Sequence, residues 1–337
     1  MPEHTYKAAG VDLDAAQDLK RRIKAIAAPT HGAEVLGSIG AFGSMYQLSG
    51  FREPVLVSST DGVGTKLKLA AMMGRYEAIG EDLVNACVND VIVCGARPLF
   101  FLDYIGVGRL DADIVGVLLE GMARACRDVE CALIGGETAQ MPDLYAGGDL
   151  DLVGFAVGVV EKSAILDPSS IREGDALVGI ASDGLHTNGY SLVRRILGLD
   201  EDSSPLGVSH SKLSQTLGEA LLRPHRAYYH AVRPVFSLVK GMAHITGGGL
   251  VENVPRVLPE GLAARFDTTS WQVPPIFSLL QSMGNVSHEE MYRVFNMGLG
   301  MVIVCEPSRS EEVMSLVPDA KIVGEVTRAA DDRRVIL

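Results

Sequence analysis

Apolar residues along this chain follow two rhythms. Short apolar runs bounded by Gly, Pro, Asp or Ser predict strands at residues 54–57, 131–134, 152–160, 176–181 and 300–305. Between them lie segments with helical spacing. Leu19, Ile23, Ile26 and Ala27 share one face of a helix predicted over 15–27, with Asp14 as its cap. Lys20 and Lys24 lie off that face one turn apart and, by spacing alone, read as a solvated basic stripe. Residues 80–93 predict a helix that is apolar nearly all round, hence buried. Its polar strip is Asp82, Asn85 and Asn89, with Asp90 at the edge. Further helices are predicted after Lys66, after Tyr190, near 213–229 and after Gly249. Short, irregularly spaced strands mixed with helices predict an α+β fold with mixed or antiparallel sheets flanked by helices.

The length of 337 residues suits about two domains. Residues 166–175 are polar, carry Pro and Gly, and predict the linker, dividing the chain into 1–167 and 168–337. A strand–Asp-Gly–helix unit occurs on each side of it, at Asp61-Gly62 and at Asp183-Gly184, too short to define a repeat. The net charge of −12 argues against nucleic acid as the main partner, because phosphate contacts dominate that affinity. The first seven residues lack the apolar centre of a signal peptide, and no apolar run is long enough to span a bilayer. A cytoplasmic protein without membrane partners is expected. The five cysteines are odd in number and contain no C-x-x-C pair, so reduced, mostly buried thiols are expected.

The densest chemistry lies in Ser59-Thr60-Asp61-Gly62-Val63-Gly64-Thr65-Lys66. Glycines allow close backbone approach, and N–H groups at a helix start favour anions. A carboxylate there suits a phosphate only through a divalent cation. The stretch therefore suggests Mg-nucleotide binding without a Walker loop, and it reads equally as an ordinary Asp-Gly turn. Asp90 is a second candidate ligand, and Glu137, just past a glycine turn expected at Gly135-Gly136, a third; converging oxygens would suit Mg²⁺. Gly37, Gly40 and Gly43 have the composition of a phosphate-covering loop. Ser182, Thr187 and Asn188 offer donors to a phosphate or sugar, and His186 an acid or base. His244 precedes Thr246-Gly247-Gly248-Gly249, a candidate anion site with Thr246 as helix cap.

Taken in order, these motifs resemble the phosphoribosylformylglycinamidine cyclo-ligase (aminoimidazole ribonucleotide synthetase) family. The resemblance also takes in 6–12, Val88-Asn89-Asp90, 96–104, 135–142, 186–191 and Phe295-Asn296-Met297-Gly298. It implies ATP-dependent closure of formylglycinamidine ribonucleotide to aminoimidazole ribonucleotide in purine biosynthesis. ATP would phosphorylate the formyl-amide oxygen, and the amidine nitrogen would then displace phosphate. It implies Mg²⁺ on Asp61, Asp90 and Glu137, and ATP phosphates near Lys24, Gly40, Gly43, Gly62, Gly64, Thr65 and Lys66. Lys24, His186 and His244 become catalytic candidates; Ser182, Thr187, Asn188, Thr246, Gly247 and Gly248 would meet the substrate. It further implies a homodimer joined through the first-domain sheets, and leaves a monovalent-cation requirement open. Thiamine-phosphate kinase and selenophosphate synthetase are related alternatives. The latter uses an early cysteine or selenocysteine, whereas the first cysteine here is Cys87.

Overall fold

The computed structural model describes residues 13–146, 148–330 and 332–337; the motif at 6–12 lies outside them. The chain forms two compact units. The first comprises the described residues up to Val91 with Arg97–Glu161, and the second Ile92–Ala96 with Lys162–Leu337. The expected division at 167/168 falls inside the second unit. The polar stretch 166–175 is held there because buried Asp175 takes the Arg172 N–H at 2.7 Å and pairs with Lys240 at 2.9 Å.

In the first unit, helix α1 (Leu13–Ala27) opens before Asp14, so the expected cap lies inside the helix. A hairpin of β1 (Val35–Leu36) and β2 (Met45–Tyr46) encloses the 37–44 loop. The main sheet holds β3 (Pro54–Gly62), β4 (Arg97–Val107), β5 (Ala132–Gln140) and β6 (Leu150–Glu161), in the order β3-β6-β4-β5. Only β4 and β5 are parallel, joined through α4 (Ala112–Asp128), as a parallel pair requires a crossover. Helix α2 (Lys66–Met73) leads to α3 (Ile79–Ile92). Gly154 and Gly158 of β6 let α3 lie close: a side chain at either would strike Leu83, Cys87 or Val91.

Two expected turns are strand. Residues 58–62 continue β3, with antiparallel pairing unbroken from Pro54↔Glu161 to Gly62↔Val153. Gly135-Gly136-Glu137 likewise stays in β5, held by the parallel ladder to β4. Ladder hydrogen bonds outweigh the local preference of glycine for turns.

The second unit has a six-stranded sheet, β10-β12-β7-β13-β11-β14, antiparallel except for its last pair. Its strands are β7 (Ala176–Ala181), β10 (Gly241–His244), β11 (Leu262–Phe266), β12 (Leu299–Cys305), β13 (Lys321–Arg328) and β14 (Val335–Ile336); a separate hairpin pairs β8 (Ser209–His210) with β9 (Gln215–Thr216). Helices α5 (Tyr190–Leu197), α6 (Leu217–Leu221), α7 (Tyr229–Val232), α8 (Gly249–Asn253), α9 (Pro275–Gly284), α10 (His288–Val294) and α11 (Ser310–Leu316) surround it. The helix expected near 213–229 is broken. Thr216 and Glu219 form a capping box that starts α6 afresh, and Pro224, without an N–H, stands between α6 and α7. The irregular stretch between those helices carries His225.

Candidate functional site

The two units build two separate constellations. In the first, Asp61 is half-buried near the end of β3, and its Oδ1 accepts the Gly62 N–H at 2.7 Å. Ser59, on the same strand, donates its hydroxyl to Asp90 Oδ2 at 3.2 Å. Asp90 stands in the last turn of α3, the negative end of a helix, where a second carboxylate favours a cation. Cys87 lies beneath both: burial pushes its thiol up, and the charges of Asp61 and Asp90 add to the shift. The structure thus brings Asp61 and Asp90 to one place. Two carboxylates with hard oxygens match Mg²⁺, which completes its shell with water and phosphate oxygens rather than an all-protein cage.

Glu137 is not part of that set. It is exposed on β5, at the far edge of the sheet from β3, with β6 and β4 between. Among the described residues no three His, Cys, Asp or Glu side chains gather as a metal-holding group. Glu137 bears instead on Asp103, whose carboxyl is pushed up to about 7, chiefly by burial, with Glu137 adding and its own backbone amide opposing. Lys66 is also corrected. It is wholly buried and pairs with buried Asp82 at 2.7 Å, so it fastens α2 to α3 instead of facing phosphate. Burial holds it below the usual lysine range, with Asp82 opposing.

Lys24, exposed in the last turn of α1, does meet the glycine loop. A Cβ built on Gly40 would lie 3.2 Å from its Cε and 3.4 Å from its Nζ. Gly40 has φ +108, a conformation that suits glycine. Gly43 is open to solvent; Gly64, at φ +59, and half-buried Thr65 lead into α2.

In the second unit, β7 ends at Ala181 and the 182–189 loop follows. Ser182 is buried and donates to Asn296 Oδ1 at 2.9 Å; Asn296 Nδ2 donates to Gly184 O at 2.8 Å. The Ser182 hydroxyl is therefore engaged in holding the loop. His186, at φ +61, is buried and its Nε2 accepts the Asp183 N–H at 3.3 Å. His225 stacks on it, ring centroids 4.0 Å apart and 20° from parallel. His225 Nε2 lies 3.0 Å from His244 Nε2, and His225 Nδ1 lies 3.4 Å from Thr187 Oγ1. The structure thus gathers His186, Thr187 and His244 around a residue the motifs did not single out. Asn188 donates to Thr187 Oγ1 at 3.5 Å, and a Cβ on Gly247 would lie 3.1 Å from Asn188 Oδ1. Thr246 is not the cap of α8; Gly248, at φ +95, takes that position, and Thr246 donates to Asn253 at 3.3 Å. Gly300 leaves the space that His186 and Tyr228 fill. A small depression of about 80 Å³ adjoins Asp183 and Gly184. A larger cavity of about 470 Å³, lined by Phe266 and Glu325 among others, holds none of the candidate residues.

Residues 50–160 match the family model for the N-terminal domain of AIR synthase related protein, and 172–336 match that for its C-terminal domain. A phosphoribosylformylglycinamidine cyclo-ligase of Carboxydothermus hydrogenoformans is 50% identical over 348 aligned residues, 100% of this chain and 99% of that protein. The cyclo-ligase of Pseudothermotoga lettingae is 51% identical over 96% of both chains. The chain belongs to the phosphoribosylformylglycinamidine cyclo-ligase family. The resemblance read from the motifs is therefore borne out. Solved structures share the cyclo-ligase fold at low identity. Thiamine-monophosphate kinase from Stenotrophomonas maltophilia K279a is 16% identical with a TM-score of 0.66 and 94% coverage of both chains. Hydrogenase maturation protein HypE in complex with ATP is 15% identical with a TM-score of 0.68, covering 96% of this chain and 90% of that one. His225 and Asn296 were missed as site residues; Asn296 lay within a quoted motif.

Proposed function

We infer that the chain closes the imidazole ring of aminoimidazole ribonucleotide from formylglycinamidine ribonucleotide, using ATP. The single observation that carries this reading is full-length identity of about half to proteins of that name. The paired carboxylates Asp61 and Asp90 support the ATP half of it. A magnesium ion held by them would neutralise phosphoryl charge. Lys24 over Gly40 offers an ammonium to the same phosphates, and Gly62, Gly64 and Thr65 keep the approach to α2 open. Phosphorylation turns the formyl-amide oxygen, a poor leaving group, into phosphate; the amidine nitrogen attacks that carbon and phosphate departs. Holding both partners in line is the larger part of the catalysis. Thr187, Asn188 and the 246–248 turn are assigned to the ribonucleotide, and His186 and His244 to its proton transfers.

The enzyme is assigned to the cytoplasm and to a homodimer. Exposed Leu56 and Phe155 on the β3–β6 face of the sheet support the second assignment. The deciding assay mixes the chain with Mg-ATP and formylglycinamidine ribonucleotide. ADP appears only when both substrates are present, and Asp61→Asn lowers kcat/KM by about a hundredfold, within the several kcal/mol such electrostatic help supplies. ATP turnover with thiamine phosphate (to ADP) or with selenide (to AMP and phosphate), and none with formylglycinamidine ribonucleotide, would move the chain to another ATP-dependent enzyme of this fold.

A further inference from the structure

Two imidazole nitrogens at hydrogen-bond distance impose a rule. One must carry a proton and the other a lone pair. His225 Nε2 and His244 Nε2, 3.0 Å apart, share one bridging proton. His225 then has only its Nδ1 left, which faces Thr187 Oγ1 at 3.4 Å. All three residues are at least nine-tenths buried, at 1%, 5% and 9% exposure for His225, His244 and Thr187, so bulk water does not blur the choice.

Counting protons in the neutral pair leaves two arrangements. In one, His244 donates from Nε2; His225 carries its own proton on Nδ1 and donates it to Thr187, and His244 Nδ1 holds a lone pair. In the other, His225 donates from Nε2; its Nδ1 accepts the Thr187 hydroxyl, and His244 Nδ1 holds the proton. The totals are equal and no proton leaves the cluster. In the first arrangement the Thr187 hydroxyl is released to donate to a ligand, and His244 is a base. In the second it is withdrawn, and His244 is an acid.

We propose that His225 is a positioning residue that couples Thr187 to His244, so that the hydrogen bond made at Thr187 sets which nitrogen of His244 carries the proton. This rests on the reading in which Thr187 meets the ribonucleotide and His244 moves a proton on it. An anion accepting the Thr187 hydroxyl selects the first arrangement and leaves His244 ready to take a proton. The stacked ring of His186 fixes the plane of His225. Titratable and charged groups near the cluster include His186 and Asp183 from the 182–189 loop, with Tyr228 and Arg226 from the stretch that carries His225. Across the sheet His244 pairs with apolar Met301.

The test is nitrogen NMR of the full chain labelled in its histidine rings, which reads each tautomer directly. His225 and His244 carry opposite tautomers, and Thr187→Val or saturating inorganic phosphate shifts both together. His225→Gln removes the response of His244 to Thr187→Val; exposed His288→Gln leaves it intact. In the cyclo-ligase assay His225→Gln lowers kcat about tenfold, part of the 10²–10⁴ of general acid–base catalysis, and leaves the KM for ATP unchanged. Equal tautomers at both rings, or a Thr187→Val shift confined to His225, would overturn the coupling. These two outcomes are read from wild type and Thr187→Val alone, so they stand even if His225→Gln does not fold. Coupled tautomers in a chain with no ribonucleotide-dependent ADP release support the coupling and sink the activity.

Discussion

Asp61-Gly62 and Asp183-Gly184 are the same dipeptide at the end of a strand, and the two units use them in opposite ways. At the first, the carboxylate itself is the working group: half-buried, with Asp90 beside it on α3. At the second, Asp183 is exposed and its backbone N–H does the work, steadying the ring of His186. The difference comes from what packs against each dipeptide. Helix α3 brings a carboxylate to the first, whereas the broken stretch after α6 brings an imidazole to the second. The same dipeptide is ladder strand at one place and loop at the other, and its neighbours decide both the shape and the chemistry.

The largest effect should come from removing what anchors the first region. Lys66→Met leaves Asp82 buried without its cation and should cost about 3–5 kcal/mol in denaturant unfolding, while the double change Lys66→Met with Asp82→Leu should recover most of it. A loss below about 1 kcal/mol would mean the pair does not fasten α2 to α3. Next is the second region. A methyl at position 300 would sit 1.9 Å from the Tyr228 hydroxyl and 2.7 Å from His186 Cε1. Gly300→Ala should destabilise by about 1–3 kcal/mol and lower turnover with it. Unchanged melting and turnover would show that the His186 site tolerates displacement.

A pH series sharpens the contrast among carboxylates in the first unit. Asp103 is raised from 3.8 to about 7, so the folded chain keeps a proton that the unfolded chain releases above its lower value. Stability therefore falls as pH rises from about 4 to about 7, on the order of 1 kcal/mol per unit, and levels off above. Asp103→Asn should flatten that slope in unfolding measured across the interval. An unaltered slope would place the proton elsewhere. The smallest effect belongs to Ser59→Ala, which removes one hydroxyl from Asp90. A loss of about 0.5–1.5 kcal/mol in apparent Mg²⁺ affinity, read from titrated turnover, is expected. No change would mean Asp90 is positioned by α3 alone.

The strands and helices built on long periodic runs were legible in the sequence, β7, β12, α1 and α3 among them. What failed had a common cause. Residues 59–62 and 135–137 read as turns because glycine prefers turns locally, yet each is held in strand by a neighbour far away in the chain. Lys66 read as a phosphate ligand because its motif contains only local company; Asp82 meets it only when α3 folds back. His225 gave no signal at all, since a single histidine in a stretch expected to be helical is unremarkable until Pro224 breaks that helix. Asp61 with Asp90, and His186 with His244, could be named from motifs. The residues between and beneath them could not, because proximity across elements is absent from spacing.

One side chain has a mechanical consequence. Asn296 takes the Ser182 hydroxyl and the Gly298 amide, each at 2.9 Å, and gives its own amide proton to Gly184 at 2.8 Å. It rivets the segment bearing His186 to the start of β12. That segment cannot flicker on its own: to swing aside, it must drag the entry to β12 along or break both bonds that tie it to Asn296 at once. Opening of this part of the molecule is accordingly a rare, cooperative event, and rapid loop motion must be sought elsewhere.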